Sequence, residues 1–262
     1  MRIAFLGKGG SGKTTTSSFV ARVAAKMYRE LYVIDADINV HMREALGLSS
    51  GEAHEFRQVF EHVEMKIRHY RPDVATLKTL PRTLPPWRLE DRYTLSFEAA
   101  PCKDLRRHDN MLLLELGSYT ENTMGWSCHH SALGMLQLVL AHMNDSEDQL
   151  IIVDLTAGAD VFGVGMLGLF DIVFVAVEPT MKSTNIYNQL ANLAATDDVA
   201  LCPIANKIID ESDVQFIETR IEQPVKFTIG MSNFVRRLER GETVETADIE
   251  SPTRQVLGKI VT

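Results

Sequence analysis

Residues Gly7 to Thr14 read G-K-G-G-S-G-K-T, and these types at this spacing suit one kind of chemistry. Gly7, Gly9, Gly10 and Gly12 let the backbone turn its N–H groups inward, an arrangement that cradles phosphate oxygens. The spacing satisfies G-x-x-x-x-G-K-[ST], in which Lys13 reaches the β- and γ-phosphates and the Thr14 hydroxyl can hold Mg²⁺. Ser11 and Thr15 complete the candidate phosphate contacts. The motif does not require Lys8, which taken alone is a solvated loop lysine. Two further stretches end in carboxylates: "VIDADIN" (33–39) carries Asp35 and Asp37, and "IIVDLTAGAD" (151–160) carries Asp154, with Gly158 close behind. Carboxylates at a strand's C-terminal end lie where phosphates dock in an open α/β sheet. They can hold Mg²⁺ through water or orient an attacking water, although Asp is also common in plain strand-ending turns. A later stretch, "PIANKI" (203–208), offers Asn206 and Lys207; an Asn amide can both donate to and accept from an adenine edge.

These groups need elements to position them. "RIAFL" (2–6) is an apolar strand before the glycine loop. Behind the loop, Phe19, Val20, Val23, Ala24 and Met27 recur at helical spacing. Strands are expected at 31–37, 111–116, 149–155, 171–177 and 199–205. Continuous apolar runs separated by helix-length segments indicate a doubly wound, mostly parallel sheet with helices on both faces. The expected organisation is a single α/β domain over 1–262, with 50–92 a variable helical and Pro-rich insertion. At 262 residues, 45% of them hydrophobic, the chain can bury one substantial core. Its formal net charge of −8 argues against broad nucleic-acid or anionic-membrane binding. No apolar run approaches the roughly 18 residues of a membrane helix, and the tail makes a poor anchor. Three scattered cysteines argue against a disulfide framework, and with no secretory signal evident the expected location is cytoplasmic.

The K-G-G-x-G-K-T core resembles the deviant Walker A loop of the MinD/ParA family, the SIMIBI-class P-loop ATPases. That resemblance implies a P-loop NTPase fold, ATP and Mg²⁺ as ligands, and an ATP-sandwich homodimer. It also gives Lys8 a role: in the family the early lysine reaches the nucleotide of the sister subunit, like an arginine finger supplied in trans. By the same resemblance Asp37 belongs to switch I and positions the water. Asp154 then binds Mg²⁺ through water, and Gly158 frees the switch II backbone. Asn206 and Lys207 match the element that contacts the base. Residues 227–244 resemble the late loop near the base, but Ile229-Gly230 replaces the usual I-P, so no base contact is expected there.

"DADIN" and "VEPTMKS" (177–183) are similar to stretches of the CooC-type branch, nickel-insertion ATPases that mature carbon monoxide dehydrogenase. That branch carries G-C-x-C before a helix and binds metal across the dimer. Here Cys128 matches the second cysteine and Trp126 stands in place of the first. Two thiolates per subunit would supply the four ligands that Zn²⁺ or Ni²⁺ uses; with one, His129 or His130 could restore the count. The bland alternative is a cysteine at a helix start beside surface histidines. The expectation is therefore a Mg-dependent ATPase switch whose dimer closure regulates or matures a client protein, a metalloenzyme in the nickel-insertion reading. The alternative is a ParA/MinD-like positioning or partition ATPase acting through DNA, membrane or a partner protein.

Overall fold

Alternation along the strands explains the layers. Ile3 and Phe5 point to one face of the sheet, Ala4 and Leu6 to the other, and all four are fully buried. A strand apolar on both faces must be covered on both, which is the condition for an all-parallel sheet. A computed structural model describes residues 1–37, 39–70, 92–117, 129–156, 165–196, 199–231 and 237. Its central strands are β1 (Arg2–Gly7), β2 (Glu30–Ala36), β5 (Met111–Glu115), β7 (Gln149–Leu155), β8 (Ile172–Val177) and β9 (Leu201–Ile208). Short strands β3 (Ala53–Glu55) and β10 (Phe227–Gly230) extend the two edges. The order is β10-β9-β8-β1-β7-β2-β5-β3, eight strands with every pairing parallel. The expected "mostly parallel" sheet is thus wholly parallel among the described residues. A separate two-stranded pair joins β4 (Tyr93–Thr94) to β6 (Met143–Asn144).

Helix α1 (Lys13–Ala24) covers one face, packing Val20, Val23 and Ala24 on Phe5, Val33 and Ile152, with Met42 and Leu46 of α2 (Met42–Leu46) beside them. The opposite face carries α3 (Arg57–Tyr70), α4 (His129–His142), α5 (Met181–Thr196) and α6 (Glu211–Ile221). Val59, Val63 and Ile67 of α3 belong to this core. The first part of the expected 50–92 insertion is therefore built into the sheet edge and the core; residues 71–91 lie outside the described residues. Among the described residues no helix is long and apolar enough to cross a membrane.

At the sheet's N-terminal end, Glu30 is nearly buried and is satisfied by neighbours. Its carboxylate accepts from the Tyr32 hydroxyl at 2.8 Å, Gln149 Nε2 at 2.8 Å and the Phe97 backbone N–H at 3.3 Å. This cluster ties the 92–105 segment to the sheet. At the C-terminal end, in-register pairing puts Asp154 beside both Phe5 and Asp35, and Asp35 beside Glu115. Chemistry on this fold is expected at that C-terminal edge.

Candidate functional site

The loop between β1 and α1 is set by where side chains are forbidden. Gly7, the last residue of β1, has φ 155, and a Cβ there would lie 2.9 Å from the Ala176 carbonyl oxygen and 2.5 Å from Ser11 Oγ. Gly12 takes the left-handed φ of 83 at the N-cap of α1, where a Cβ would run into the Asn206 amide. Gly9 and Gly10 are exposed, and Gly10 is also left-handed. Ser11 is buried; its backbone N–H donates to the Lys8 carbonyl at 3.0 Å. Thr14 and Thr15 are half-buried in the first turn of α1. The first N–H groups of a helix have no partner within it and carry its partial positive charge, so this turn suits an anion.

Lys13 is buried and its ammonium pairs with the Asp37 carboxylate. Burial works against the lysine's charge, but the carboxylates of Asp154, Asp37 and Asp35 outweigh it and hold its pKa above the ordinary value. Asp37 shows the converse: burial would raise its pKa, but the Lys13 bond and charge and the Asn39 N–H keep it below the usual range. The Thr14 hydroxyl donates to Asp154 Oδ2 at 2.5 Å. Burial pushes the Asp154 carboxyl up to about 7, against the pull of Lys13. Its other oxygen, Oδ1, is buried with no hydrogen-bond partner among the described residues. One ammonium, paired with Asp37, thus lies in the field of three carboxylates, one of which has an orphaned oxygen.

That imbalance is a fit test for a divalent cation. A hydroxyl and a carboxylate with a spare oxygen are hard oxygen donors of the sort Mg²⁺ accepts. No group of three or more His, Cys, Asp or Glu side chains forms a metal cage among the described residues. Mg²⁺ does not need one, because it uses one or two protein ligands together with water and phosphate oxygens.

Asp35 turns out to be a positioning group. Its Oδ2 accepts from the Met42 N–H at 2.8 Å and its Oδ1 from the Asp37 N–H at 3.1 Å. It fastens the Asp37 turn to the start of α2, so of the two carboxylates in "DAD" only Asp37 faces Lys13. Asn206 lies in β9 and packs on the loop, donating from Nδ2 to the Ser11 carbonyl at 2.7 Å. Lys207 Nζ reaches the Gly10 carbonyl at 2.7 Å. Lys8 does not join Lys13; its ammonium pairs with Glu178 Oε2 at 3.0 Å, while Lys207 takes Glu178 Oε1 at 2.7 Å. Burial would raise the Glu178 pKa, and the two lysines keep it below the ordinary value instead. Sequence reasoning missed Glu178 as a site residue. Its signal was "VEPT" directly after an apolar strand, but its partners emerge only once β8 is placed between β1 and β9.

Gly158, Trp126 and Cys128 lie outside the described residues. His129 and His130 open α4, and nothing is described of their side chains. Cys102 and Cys202 are free thiols, and burial raises the pKa of both, Cys102 to about 12.

The family model "CobQ/CobB/MinD/ParA nucleotide binding domain" matches residues 3–250. The chain belongs to this family. It is therefore a nucleotide-binding P-loop NTPase of the MinD/ParA type, as the loop resemblance implied. The chain is 26% identical over 224 residues to the carbon monoxide dehydrogenase accessory protein CooC of Rhodospirillum rubrum, covering 85% of this chain and 80% of that one. It is also 26% identical, over 220 residues, to an uncharacterized ATP-binding protein of Methanocaldococcus jannaschii, covering 83% of each. Among solved structures, the MinD cell division protein of Aquifex aeolicus superposes with a TM-score of 0.62 at 19% identity, covering 98% of this chain and 97% of that one. At that identity the likeness speaks for the fold alone.

Proposed function

We propose that the protein is a Mg-dependent ATPase that closes as an ATP-sandwich homodimer and acts on a client protein. The observation that carries this reading is the separation of its two loop lysines. Lys13 lies among Asp35, Asp37 and Asp154, where a triphosphate in the same subunit's loop would meet it. Lys8 pairs with Glu178, away from that cluster, with its side chain 23% exposed. A lysine so placed is suited to a nucleotide held by a second copy.

In the proposed reaction the first turn of α1 and the loop N–H groups hold the β- and γ-phosphates. Lys13 neutralises charge as the terminal phosphoryl leaves, giving up part of its hold on Asp37. Asp37, released towards that phosphoryl, accepts a hydrogen bond from the attacking water and orients it. Thr14 and Asp154 would hold Mg²⁺, which would supply positive charge to offset the negative charge of the phosphates. Asn206 and Lys207 keep the loop closed from behind, with the base lying beside them, and Gly158 lets switch II follow the γ-phosphate.

The likeness to CooC supports maturation of a metalloenzyme client, with nickel insertion as the specific case. In that case Cys128 contributes to a Zn²⁺ or Ni²⁺ site across the dimer. The test is phosphate release from Mg-ATP together with zinc and nickel binding under ADP and under ATP. Turnover that depends on Lys13, and one metal ion per ATP-dependent dimer lost in Cys128→Ser, supports the full reading. An ATP-dependent dimer without metal keeps the ATPase and removes the metal role.

A further inference from the structure

We propose that Glu178 is a positioning residue for Lys8: it latches the lysine in its own subunit and releases it when a nucleotide-bound second copy arrives. This rests on the trans role proposed above for Lys8. Glu178 is fixed in place by its backbone. It follows β8, its N–H donates to Ser183 Oγ at 3.0 Å, and Thr180 Oγ1 accepts from the Ser183 N–H at 3.2 Å at the start of α5. The residue is 7% exposed, so its carboxylate has few alternatives to the two lysines.

The second lysine makes the latch reversible. Breaking a lone buried ion pair strands a charge, and that cost would hold Lys8 permanently. Glu178 keeps Lys207 when Lys8 departs, so neither the carboxylate nor the loop loses all its partners. Lys207 is aimed for this task by the backbone. In the β9–β10 pairing Ile229 faces Asn206 and Gly230 faces Ile208, so Lys207 is the extra residue of a bulge. It has the left-handed φ of 62, which a non-glycine residue holds only where its surroundings fix it. The bulge turns its side chain onto Glu178 and the Gly10 carbonyl, linking β9, β8 and the loop. Of the two lysines Lys207 has the more exposed side chain, 33% against 23%, but it is also tied to the Gly10 carbonyl; Lys8, held here through Glu178, is the departing member.

The test uses the full chain and two readouts. Glu178→Gln keeps the shape and removes the charge. In the nucleotide-free protein, acetic anhydride labelling of the Lys8 amine, followed by peptide mass spectrometry, should rise severalfold over wild type. Under Mg-ATP, the dimer dissociation constant from sedimentation should fall about fivefold, the effect of losing roughly one partly exposed ion pair that competes with closure. Glu178→Asp retains the charge and should return Lys8 labelling towards wild type; this also separates the latch from a general loss of folding. Unchanged Lys8 labelling in Glu178→Gln, or a dimer that forms equally or less readily, overturns the latch. A wild-type chain that stays monomeric under Mg-ATP removes the sandwich itself, and that is seen before any variant is made.

Discussion

At the residue scale, the site is organised by one lysine among three carboxylates. Removing Lys13 leaves Asp37 and Asp154 without their cation and the phosphates without their main counter-charge. Lys13→Ala should lower phosphate release from Mg-ATP by about 100-fold or more; a wild-type rate in that variant would show the site is elsewhere. Asp37→Ala should still bind ATP while turnover falls by about 10²- to 10⁴-fold, the usual worth of a group that handles the attacking water. Fluorescent-nucleotide binding beside the turnover assay checks both halves. These residues were legible in the sequence because each belongs to a short motif next to an apolar strand. Asp35 was visible as a carboxylate but not as a positioning group, since that depends on the chain turning back so that the Met42 N–H meets it; Glu178 was not visible, because its partners Lys8 and Lys207 join it only when β1, β8 and β9 lie side by side. Cys102 gives a pH prediction. Its thiol is pushed up to about 12 in the fold, from 9.0 in the open chain. At pH 8.5 it should resist iodoacetamide in the native protein and react on unfolding. Between those two pKa values the unfolded chain loses the thiol proton first, so this residue's contribution to stability declines as pH rises above about 9.

At the element scale, strands and loop hold each other in place. Gly12→Ala would add a side chain where φ is left-handed, at a cost of about 1–2 kcal/mol, and push it into Asn206. We expect nucleotide affinity to fall at least tenfold with far-UV circular dichroism unchanged; affinity equal to wild type would mean that the close packing of β9 on the loop is dispensable. At the opposite end of the sheet, Glu30→Ala leaves the Tyr32 hydroxyl and the Phe97 N–H without their acceptor, while Gln149 Nε2 keeps the Leu95 carbonyl. Urea unfolding should show a loss of about 2–4 kcal/mol, with Glu30→Gln milder. The six central strands could be read from the sequence because their residues are apolar on both faces and long enough to stand out. The edge strands β3 and β10 could not. Ala53–Glu55 is three residues with none fully buried, and Phe227–Gly230 alternates half-buried with exposed, so neither differs from a loop in pattern. The bulge at Lys207 was equally hidden, since it depends on β10 pairing with β9.

At the scale of the whole molecule, the account stands on two copies meeting across the loop face. With a net charge of −8 per chain, long-range repulsion opposes that meeting at low salt. In the proposed dimer Lys8 would bring positive charge to the phosphates of the nucleotide held by the other copy. Association should therefore require the triphosphate and be weak with ADP. The most direct measurement is the solution mass of the wild-type protein by sedimentation velocity with Mg-ATP and with Mg-ADP, repeated with Lys8→Ala. The account predicts twice the 29.4 kDa chain mass with Mg-ATP, the single-chain mass with Mg-ADP, and the single-chain mass for Lys8→Ala under both. A wild-type mass of one chain under saturating Mg-ATP, or a dimer indifferent to nucleotide and to Lys8, would contradict it.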